Sequence, residues 1–479
     1  MTTVIVSFIV CLLFFLGIGL LSATRKAETT EDYLLASRSV NPWVVALSAV
    51  ATNNSGFMFI GLIGETYTSG LSAMWVMVGW VLGDYAMWMA RVPDRLRVES
   101  EARGTVTIPS FLGHGVRNGK QVTTLAGAIT LVFLGIYAAA QLNAGSKALH
   151  VLFDWDYSLG AILGAVIVVA YCFAGGIRAS LWTDVAQSIV MFVAMVILCF
   201  VAIEESGGFD SMWTTLGQRP ALTDWQPENL PWGFTLFALG WFVAGIGVVG
   251  QPHIMVRAMA VNSVDSMPTA RRVYFVWNAL FAAAAIMVGL AARAWVEGAD
   301  ASSASAATLL SKDAELALPL LAQQLLPGWL VGFVLAGLFA ATISTADSQV
   351  LACSAALTQD MFPKVRDSYV WVKASTLLVA TIVLAIALTG GGVFDLIVLA
   401  WSSLAAGLGP LLILKSFGRH VDGRLGLAMM IGALLTVLLW RFGFKLTGAV
   451  YDALPAMLMG FIIYGVGRQF LAGSPSKDL

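Results

Sequence analysis

Two short polar stretches interrupt long apolar segments of this 479-residue chain. The first, residues 51–56, reads ATNNSG, and the second, residues 245–253, reads GIGVVGQPH. An apolar helix tolerates such an interruption only where the freed backbone faces protein, water or a ligand. Freed carbonyl oxygens suit a small hard cation. Asn53 and Asn54 add polar atoms that close packing does not need, although glycines in such helices also serve close packing.

A third polar stretch, residues 341–349 (ATISTADSQ), lies inside another apolar segment. Ser344 and Thr345 each lie within one helical turn of Ser348. Hydroxyl groups on this helix that face carbonyl groups of a broken helix would form a cage for a cation. The alternative is that each hydroxyl bonds the carbonyl four residues earlier in its own helix.

Ionisable residues inside apolar segments are costly, so each is a candidate for function. The candidates are Asp84, Asp184 and Asp347, and Glu65 and Asp395 lie near segment ends where water can reach them. Asp184 lies near a helix start. An ordinary N-terminal cap is therefore an alternative role for it.

The composition is that of a membrane protein. Apolar residues make up 58% of the chain, charged residues make up 11%, and the net charge is -1. The apolar and charged fractions argue against a soluble enzyme, a disordered chain and a nucleic-acid binder, whereas the net charge does not distinguish among these classes. His253 has no second His or Cys at ligand spacing, which argues against a transition-metal site. The sequence contains no GxxxxGK[ST] motif and no nucleophile–base pair, so a primary pump and a membrane enzyme are disfavoured.

The apolar segments predict an all-α integral membrane protein with about 13 transmembrane helices. The predicted spans are 4–22, 42–70, 73–92, 122–150, 157–176, 181–203, 232–260, 273–296, 328–358, 370–389, 393–414, 425–441 and 449–467. Broken helices in spans 2 and 7, five spans apart, predict a five-plus-five inverted-repeat transporter fold. The chain divides into residues 1–41 (first helix and cytoplasmic loop), 42–205 (first repeat), 232–414 (second repeat) and 415–479 (two further helices).

The basic residues predict the orientation. With the C-terminus in the cytoplasm, 21 of the 27 Lys and Arg residues face that side, among them Arg25, Lys26, Arg257 and Lys477. Five face the other side, and Lys147 lies near a helix end. The excess predicts a cell (inner) membrane protein with its N-terminus outside. The long outside connections, residues 204–231 and 297–327, are expected to be surface segments.

The sequence resembles the sodium:solute symporter family, with the sodium/proline branch as the best match. The resemblance runs from residue 31 to residue 362 and is weaker in the last two helices. It rests on motifs in this order: Ser48-Ala49 with Ser55-Gly56, Leu96-Arg97-Val98, Gly175-Gly176 with Thr183-Asp184, residues 250–254 (GQPHI), and Ser344-Thr345 leading to Gln349.

The resemblance implies sites for sodium and for a solute. The principal sodium site would use the carbonyls of Ala51, Asn54 and Ala341 and the hydroxyls of Ser344 and Thr345. A second cation site, as in some relatives, would use Asp184, Asp347 and Ser348 together with Ser344. The substrate-binding residues would be Asn53, Ser55, Gly56, Phe57, Tyr137, Gln141, Ala244, Val248 and Gln251.

The sequence also departs from the proline branch. Asn53 replaces a functional aspartate of that branch, Phe57 replaces a tryptophan, and Ala244 and Val248 replace aromatic residues. A solute pocket without those aromatic walls gains volume and loses stacking surface. An aspartate restored at position 53 is expected to tighten sodium binding.

These features predict a sodium-coupled secondary symporter that imports a small organic solute by alternating access. The solute is expected to be an amino acid such as proline, or a related zwitterion or carboxylate. The alternatives are a proton-coupled transporter of the same fold and a membrane sensor that binds the solute without moving it. The expected partners are the solute, the coupling sodium ion and the lipid bilayer, with no organic cofactor and no nucleic acid. The oligomeric state is left open.

Overall fold

A computed structural model describes residues 2–24, 29–298 and 301–472. Arg25, Lys26 and Lys477, which entered the count of basic residues, lie outside the described residues. Across the described ranges the chain is helical and forms no β-strand; a single parallel bridge joins Val40 to Val261. The all-helical fold predicted from the sequence is confirmed.

The helices follow one another with short connections, and we number them in chain order. They are α1 (Thr2–Ala23), α2 (Thr30–Leu35), α3 (Pro42–Gly56), α4 (Leu62–Ser69), α5 (Met74–Met89), α6 (Val92–Ala102), α7 (Ile108–Gly113), α8 (Gly119–Phe153), α9 (Tyr157–Glu205), α10 (Phe209–Gly217), α11 (Pro220–Thr223), α12 (Gly233–Ile246), α13 (Pro252–Ala260), α14 (Met267–Gly298), α15 (Ala301–Leu310), α16 (Ala317–Leu325), α17 (Gly328–Ala355), α18 (Tyr369–Ala387), α19 (Val393–Ser416), α20 (Gly423–Leu438) and α21 (Ala453–Ala472).

Within the described residues, ten helical stretches are long and apolar enough to cross a membrane. One of them, Pro42–Met89, contains two predicted spans, and Tyr157–Ala170 is apolar but shorter than the others. The count of thirteen spans therefore stays a prediction, as do the repeat boundaries at 42–205 and 232–414.

The second predicted span breaks at Ser55. This residue has φ 48° and ψ −175°, and a π-helical turn, Phe57–Gly61, joins α3 to α4. A Cβ atom at Gly56 would lie 2.9 Å from Ala144 Cβ and from Thr342 Cγ2. Only glycine therefore lets the break approach α8 and α17 this closely.

The seventh predicted span breaks in the same manner. A 3₁₀ turn, Gly247–Gly250, ends α12, and Gln251 is extended with φ −98° and ψ 96° before Pro252 starts α13. Proline suits the first turn of a helix because its missing N–H would have no partner there. Both predicted helix breaks are thus present.

Helix α9 combines two predicted spans and bends at Gly176, where φ is 57° and ψ is −144°. A Cβ atom at Gly176 would lie 2.5 Å from the ring and from the carbonyl oxygen of Tyr33. Helix α17 packs against α3, α8 and α9, and α14 packs against α3 and α9. These contacts place residues 51–56 and 341–349 in the interior of the bundle, and Gln251 and His253 of the other polar stretch are buried as well.

The expectation that residues 297–327 form a surface segment is wrong for its second half. Helix α16 is buried from Ala317 to Ala322 and packs against α8, α14 and α17. Its apolar sequence ALPLLA explains the burial, because apolar side chains have a lower free energy in the interior than in contact with water.

Candidate functional site

Helix α17 meets the break of α3 through Thr345. The Thr345 hydroxyl lies 3.2 Å from the carbonyl oxygen of Thr52 and 3.0 Å from that of Ala341. Ala51 and Asn54 are buried in the same turn of α3, and the Asn54 carbonyl accepts the N–H of Phe57. The structure therefore brings four residues predicted for sodium into one region that is rich in oxygen atoms.

Ser344, the fifth residue of that predicted set, bonds elsewhere. Its hydroxyl donates to Asp184 Oδ1 at 2.6 Å, while Ser48 donates to Asp184 Oδ2 at 2.5 Å. Thr345 and Ser348 do bond the carbonyl four residues earlier, at 3.0 and 2.7 Å. The bonding within α17 that the sequence left as an alternative is thus present for two of the three hydroxyls.

Asp184 forms a buried ion pair with Arg257. Arg257 Nη2 lies 3.0 Å from Asp184 Oδ2, and the two side chains are 1% and 0% exposed. The same guanidinium donates to Ser48 at 2.7 Å and to Ser348 at 2.5 Å. Its remaining bond goes to the carbonyl of His253.

Two expectations from the sequence are corrected by this pair. Arg257, counted among the basic residues of the cytoplasmic face, is not a surface charge, because its guanidinium is buried against Asp184, Ser48 and Ser348. Asp184 is not an N-terminal cap, because its oxygens accept side-chain donors from α3, α13 and α17. The burial of Arg257 could have been suspected from the sequence, because the residues around it in α13 (PHIMVRAMA) are mostly apolar.

Asp347 completes this cluster. Its Oδ1 accepts from Ser180 and from Ser348, both at 2.9 Å. Its Oδ2 is buried and accepts no hydrogen bond from the described part of the chain. With both carboxylates ionised, Asp184, Asp347 and Arg257 carry a net charge of about −1. That charge and the free oxygen suit one monovalent cation.

The residues predicted for the solute meet at the break of α3. The N–H of Gly56 donates to Gln141 Oε1 at 2.8 Å, and the N–H of Phe57 donates to Ser55 Oγ at 3.1 Å. The hydroxyls of Ser55 and Tyr137 are 3.4 Å apart. Gln141 Nε2 is buried and finds no partner among the described residues. Backbone donors and a free amide donor thus occupy one side of the site.

The second break adds acceptors. Gln251 Nε2 donates to the carbonyl of Trp401 at 3.1 Å, and Gln251 Oε1 is buried without a partner in the ranges that the structure describes. The indole of Trp401 donates to the carbonyl of Ala244 at 2.7 Å. The ring of His253 lies edge-on to that of Tyr137, with 5.6 Å between centroids.

Aromatic side chains from α5 and α19 surround Phe57. Its ring centroid lies 5.4 Å from that of Phe394 and 5.5 Å from that of Trp80, and the rings of Trp80 and Trp401 are 4.3 Å apart. Sequence reasoning missed these aromatic residues. Nothing in their spacing pointed to Phe57, because they come from other helices and are apolar, as most residues of those helices are.

Asn53 and Asp84 are connected through Tyr274. Asn53 Nδ2 donates to the Tyr274 hydroxyl at 2.6 Å, and that hydroxyl donates to Asp84 Oδ2 at 2.6 Å. Asn53 Oδ1 and Asp84 Oδ1 are buried, and neither has a hydrogen-bond partner in residues 2–24, 29–298 and 301–472. The sequence pointed to Asn53 and Asp84 separately, since Tyr274 is 221 residues from Asn53.

Two openings are lined by residues of these helices. A narrow cavity of ≈ 30 Å³ is lined by Pro252, Arg257 and Ser348. A wider vestibule of ≈ 470 Å³ is lined by Asn143 and Lys147 and by Gly390 to Gly392. Lys147 there bonds Asp313 at 2.5 Å and Glu315 at 2.7 Å.

Glu315 also holds the start of α19. Its carboxylate accepts the N–H groups of Val393 and Phe394 at 3.0 and 2.8 Å. Glu65, by contrast, accepts only the hydroxyl of Ser69 among the side-chain bonds described, and Asp395 is exposed, as the sequence predicted for residues near helix ends.

The sequence profile of the sodium:solute symporter family matches residues 33–432. The chain is 31% identical over 472 residues to the sodium/proline symporter of Escherichia coli K12, which covers 96% of this chain and 92% of that protein. It is 31% identical over 479 residues to the sodium/proline symporter of Staphylococcus aureus, with 95% and 91% covered.

Two solved structures share the fold. A Na⁺-coupled sialic acid symporter in a substrate-bound outward-open state superposes with a TM-score of 0.80, at 18% identity, over 100% of this chain and 99% of that one. A nucleobase-cation-symport-1 family transporter in a closed conformation superposes with a TM-score of 0.57, at 17% identity, over 91% and 95%.

Proposed function

The chain belongs to the sodium:solute symporter family, and from this membership we propose that it imports a small zwitterion, with proline as the first candidate. Members of the family are transporters, so the chain is a sodium-coupled symporter in a membrane and not an enzyme.

The principal sodium ion binds between α3 and α17 in this proposal. Its ligands are the carbonyl oxygens of Ala51, Asn54 and Ala341 and the hydroxyl oxygens of Ser344 and Thr345. The contact of Thr345 with both helices supports the assignment, because a ligand shared by two helices lets the ion hold them together. Neutral oxygen ligands are typical of a hard monovalent cation.

A second cation binds at Asp184, Asp347 and Ser348. The unpartnered Oδ2 of Asp347 supports this assignment, because a buried carboxylate oxygen without a donor is costly unless a ligand satisfies it. Arg257 limits the site to a single positive charge by neutralising one of the two carboxylates.

The solute assignment rests on one observation: the break of α3 presents N–H donors, whereas the side chains of Gln251 and Asn53 present acceptor oxygens without partners in the described residues. The N–H groups of Gly56 and Phe57 point to side-chain oxygens that a carboxylate can replace. The acceptors Gln251 Oε1 and Asn53 Oδ1 lack partners in the described structure and can receive an ammonium or imino group. A helix start also favours a carboxylate electrostatically. Such an arrangement complements a zwitterion, and the relatives named above carry proline.

Phe57 and Tyr137 form the apolar side of the solute site, with Ala244 and Val248 on the second break. The aromatic rings of Trp80, Trp401 and Phe394 behind Phe57 hold its ring in place. A small ring or an aliphatic side chain of the solute would bury its surface there.

Transport then follows by alternating access between the vestibule near Lys147 and the cavity near Arg257. We place the vestibule outside the cell and the cavity on the cytoplasmic side, as the basic residues indicate. Sodium orders the break of α3 against α17, and the solute then meets a preformed site. One sodium ion crossing about 100 mV supplies about 2.3 kcal/mol, enough for roughly 50-fold accumulation of a neutral solute.

Thermal unfolding of the purified protein tests the solute assignment. The panel contains proline, other small zwitterions and small carboxylates without an amine, each in sodium and in potassium buffer. Proline is expected to raise the unfolding temperature in sodium only, because a ligand that binds the folded state stabilises it. Stabilisation by simple carboxylates with no effect of proline would contradict the zwitterion assignment.

A further inference from the structure

Asn53, Tyr274 and Asp84 form a hydrogen-bonded chain across α3, α14 and α5. Both bonds are 2.6 Å long, and all three side chains are buried. Asn53 lies two residues before Ser55, where α3 breaks. These two hydrogen bonds therefore link Asn53, at the break of α3, to the carboxylate of Asp84 on α5. Helix α5 contributes no other residue to the predicted sites.

The direction of the two bonds follows from the chemistry of the groups. The Tyr274 hydroxyl donates its one hydrogen to Asp84, as an ionised carboxylate requires because it only accepts hydrogen bonds. The phenol oxygen then serves Asn53 only as an acceptor, so Asn53 must present its amide nitrogen. The amide oxygen Oδ1 is thereby turned away from Tyr274, and it is buried with no donor in the described residues.

We propose that Asp84 and Tyr274 are positioning residues that hold Asn53 Oδ1 toward an electropositive group in the break of α3. That group is the bound sodium ion or the N–H group of the solute, since either is attracted to an amide oxygen. This inference rests on the proposed function. Asp84 would thereby act on the site through Tyr274, because among the bonds described its carboxylate contacts neither a sodium residue nor a solute residue directly.

The hydrogen bonds among Asn53, Tyr274 and Asp84 also change the effect expected for an aspartate at position 53. An aspartate at position 53 was expected to tighten sodium binding, as it would if the position were isolated. Here a carboxylate at position 53 and Asp84 would share one hydroxyl hydrogen, and one of them would remain buried without a donor. Asn53→Asp is therefore expected to weaken transport unless position 84 changes with it.

The test measures proline uptake and ²²Na⁺ binding by purified variants in liposomes. Asp84→Ala removes the acceptor, so Tyr274 can donate to Asn53 Oδ1 instead and withdraw it from the ligand. Loss of one oriented bond to a charged group raises the half-saturating concentration about 10- to 100-fold. A change in the KM for proline identifies the N–H group as the ligand, whereas a change in half-saturating sodium identifies the ion.

The conservative variants separate positioning from simple damage. Asp84→Asn keeps an acceptor for Tyr274 and is expected to stay within about threefold of the wild type. The double variant Asn53→Asp/Asp84→Asn can form both hydrogen bonds in the opposite direction. Tyr274 then donates to the carboxylate at position 53, and the amide at position 84 donates to Tyr274. The double variant should therefore recover most of the transport that Asn53→Asp loses.

Tyr85→Phe is the matched control, since Tyr85 neighbours Asp84 in the chain, is exposed, and has ring contact to Phe275 only among the contacts described. Wild-type values for Asp84→Ala in folded protein, or a double variant no better than Asn53→Asp, would overturn the inference. A wild-type protein that accumulates no solute in sodium contradicts the proposed function instead. In that case ²²Na⁺ binding by the same variants still decides the role of Asp84.

Discussion

The guanidinium of Arg257 lies 3.0 Å from the carboxylate of Asp184, and both side chains are closed to solvent. The pair joins α13, directly after the second break, to α9, and Ser48 and Ser348 connect it to α3 and α17. Four helices therefore meet at one buried charge pair beside the proposed cation sites. A cation that binds there changes the free energy of the contacts among all four helices.

Arg257→Gln is expected to lower stability by about 3–5 kcal/mol in sodium-free buffer, because it leaves Asp184 and Asp347 buried without their cationic partner. Saturating sodium should restore part of that loss by supplying a positive charge. Equilibrium unfolding in detergent with and without sodium measures both values. Arg366→Gln is the control, because the ion pair of Arg366 with Asp367 is exposed. An equal loss in both buffers would show that no cation binds near Asp347.

Replacing both Ser344 and Thr345 by Ala is expected to raise the sodium concentration for half-maximal uptake about tenfold or more, since two proposed ligands disappear. Sodium titration of solute uptake measures this change. Thr358→Ala provides the comparison, because among the bonds of the described residues the Thr358 hydroxyl donates only to the carbonyl of Ser354, one helical turn earlier. If the sodium dependence of the double variant equals that of the wild type, these hydroxyls are not sodium ligands.

Lys147→Met is expected to lower the free energy of unfolding by about 2–3 kcal/mol. Asp313 and Glu315 lose their shared cation, but Asp313 keeps partial contact with water, which reduces the cost below that of a fully buried pair. Equilibrium unfolding measures the loss, and Lys312→Met serves as an exposed lysine control. Identical stability of both variants would mean that the ion pairs of Lys147 with Asp313 and Glu315 do not stabilise the contact of α8 with the start of α19.

Trp401→Phe removes the indole donor to the Ala244 carbonyl while keeping an aromatic ring beside Trp80. The Ala244 carbonyl keeps the backbone N–H of Gly247 as a donor, so the loss of the indole hydrogen bond is expected to cost about 0.5–1.5 kcal/mol of stability. Unfolding experiments on this variant and on Trp371→Phe, which changes an exposed tryptophan, provide the measurement. A loss no larger than that of the exposed control would argue that the bond does not fix the second break.

The breaks in the second and seventh spans could be predicted because their cause is local. Polar residues and glycines inside an apolar segment, with Pro252 behind one of them, mark the point where helical bonding stops. The contact between Thr345 and Thr52 could be predicted for the same reason, because polar groups in apolar surroundings need hydrogen-bond partners and each stretch supplies them to the other.

The partners of those residues could not be predicted, because packing over long chain distances selects them. Arg257 and Asp184 are 73 residues apart, and Trp401 and Ala244 are 157 apart. A count of basic residues treats Arg257 as a surface charge because it contains no information on helix packing. The aromatic residues around Phe57 likewise come from α5 and α19, which are distant from Phe57 in the sequence, and an apolar ring in an apolar helix gives no sign of which residue it contacts.

Uptake of a labelled solute panel, proline included, into liposomes that contain the purified protein is the most direct measurement. Each solute is tested under an inward sodium gradient, an inward proton gradient without sodium, and no gradient. Sodium coupling predicts accumulation under the sodium gradient alone. Accumulation under the proton gradient without sodium, or sodium-dependent binding with no accumulation of any solute, would contradict it.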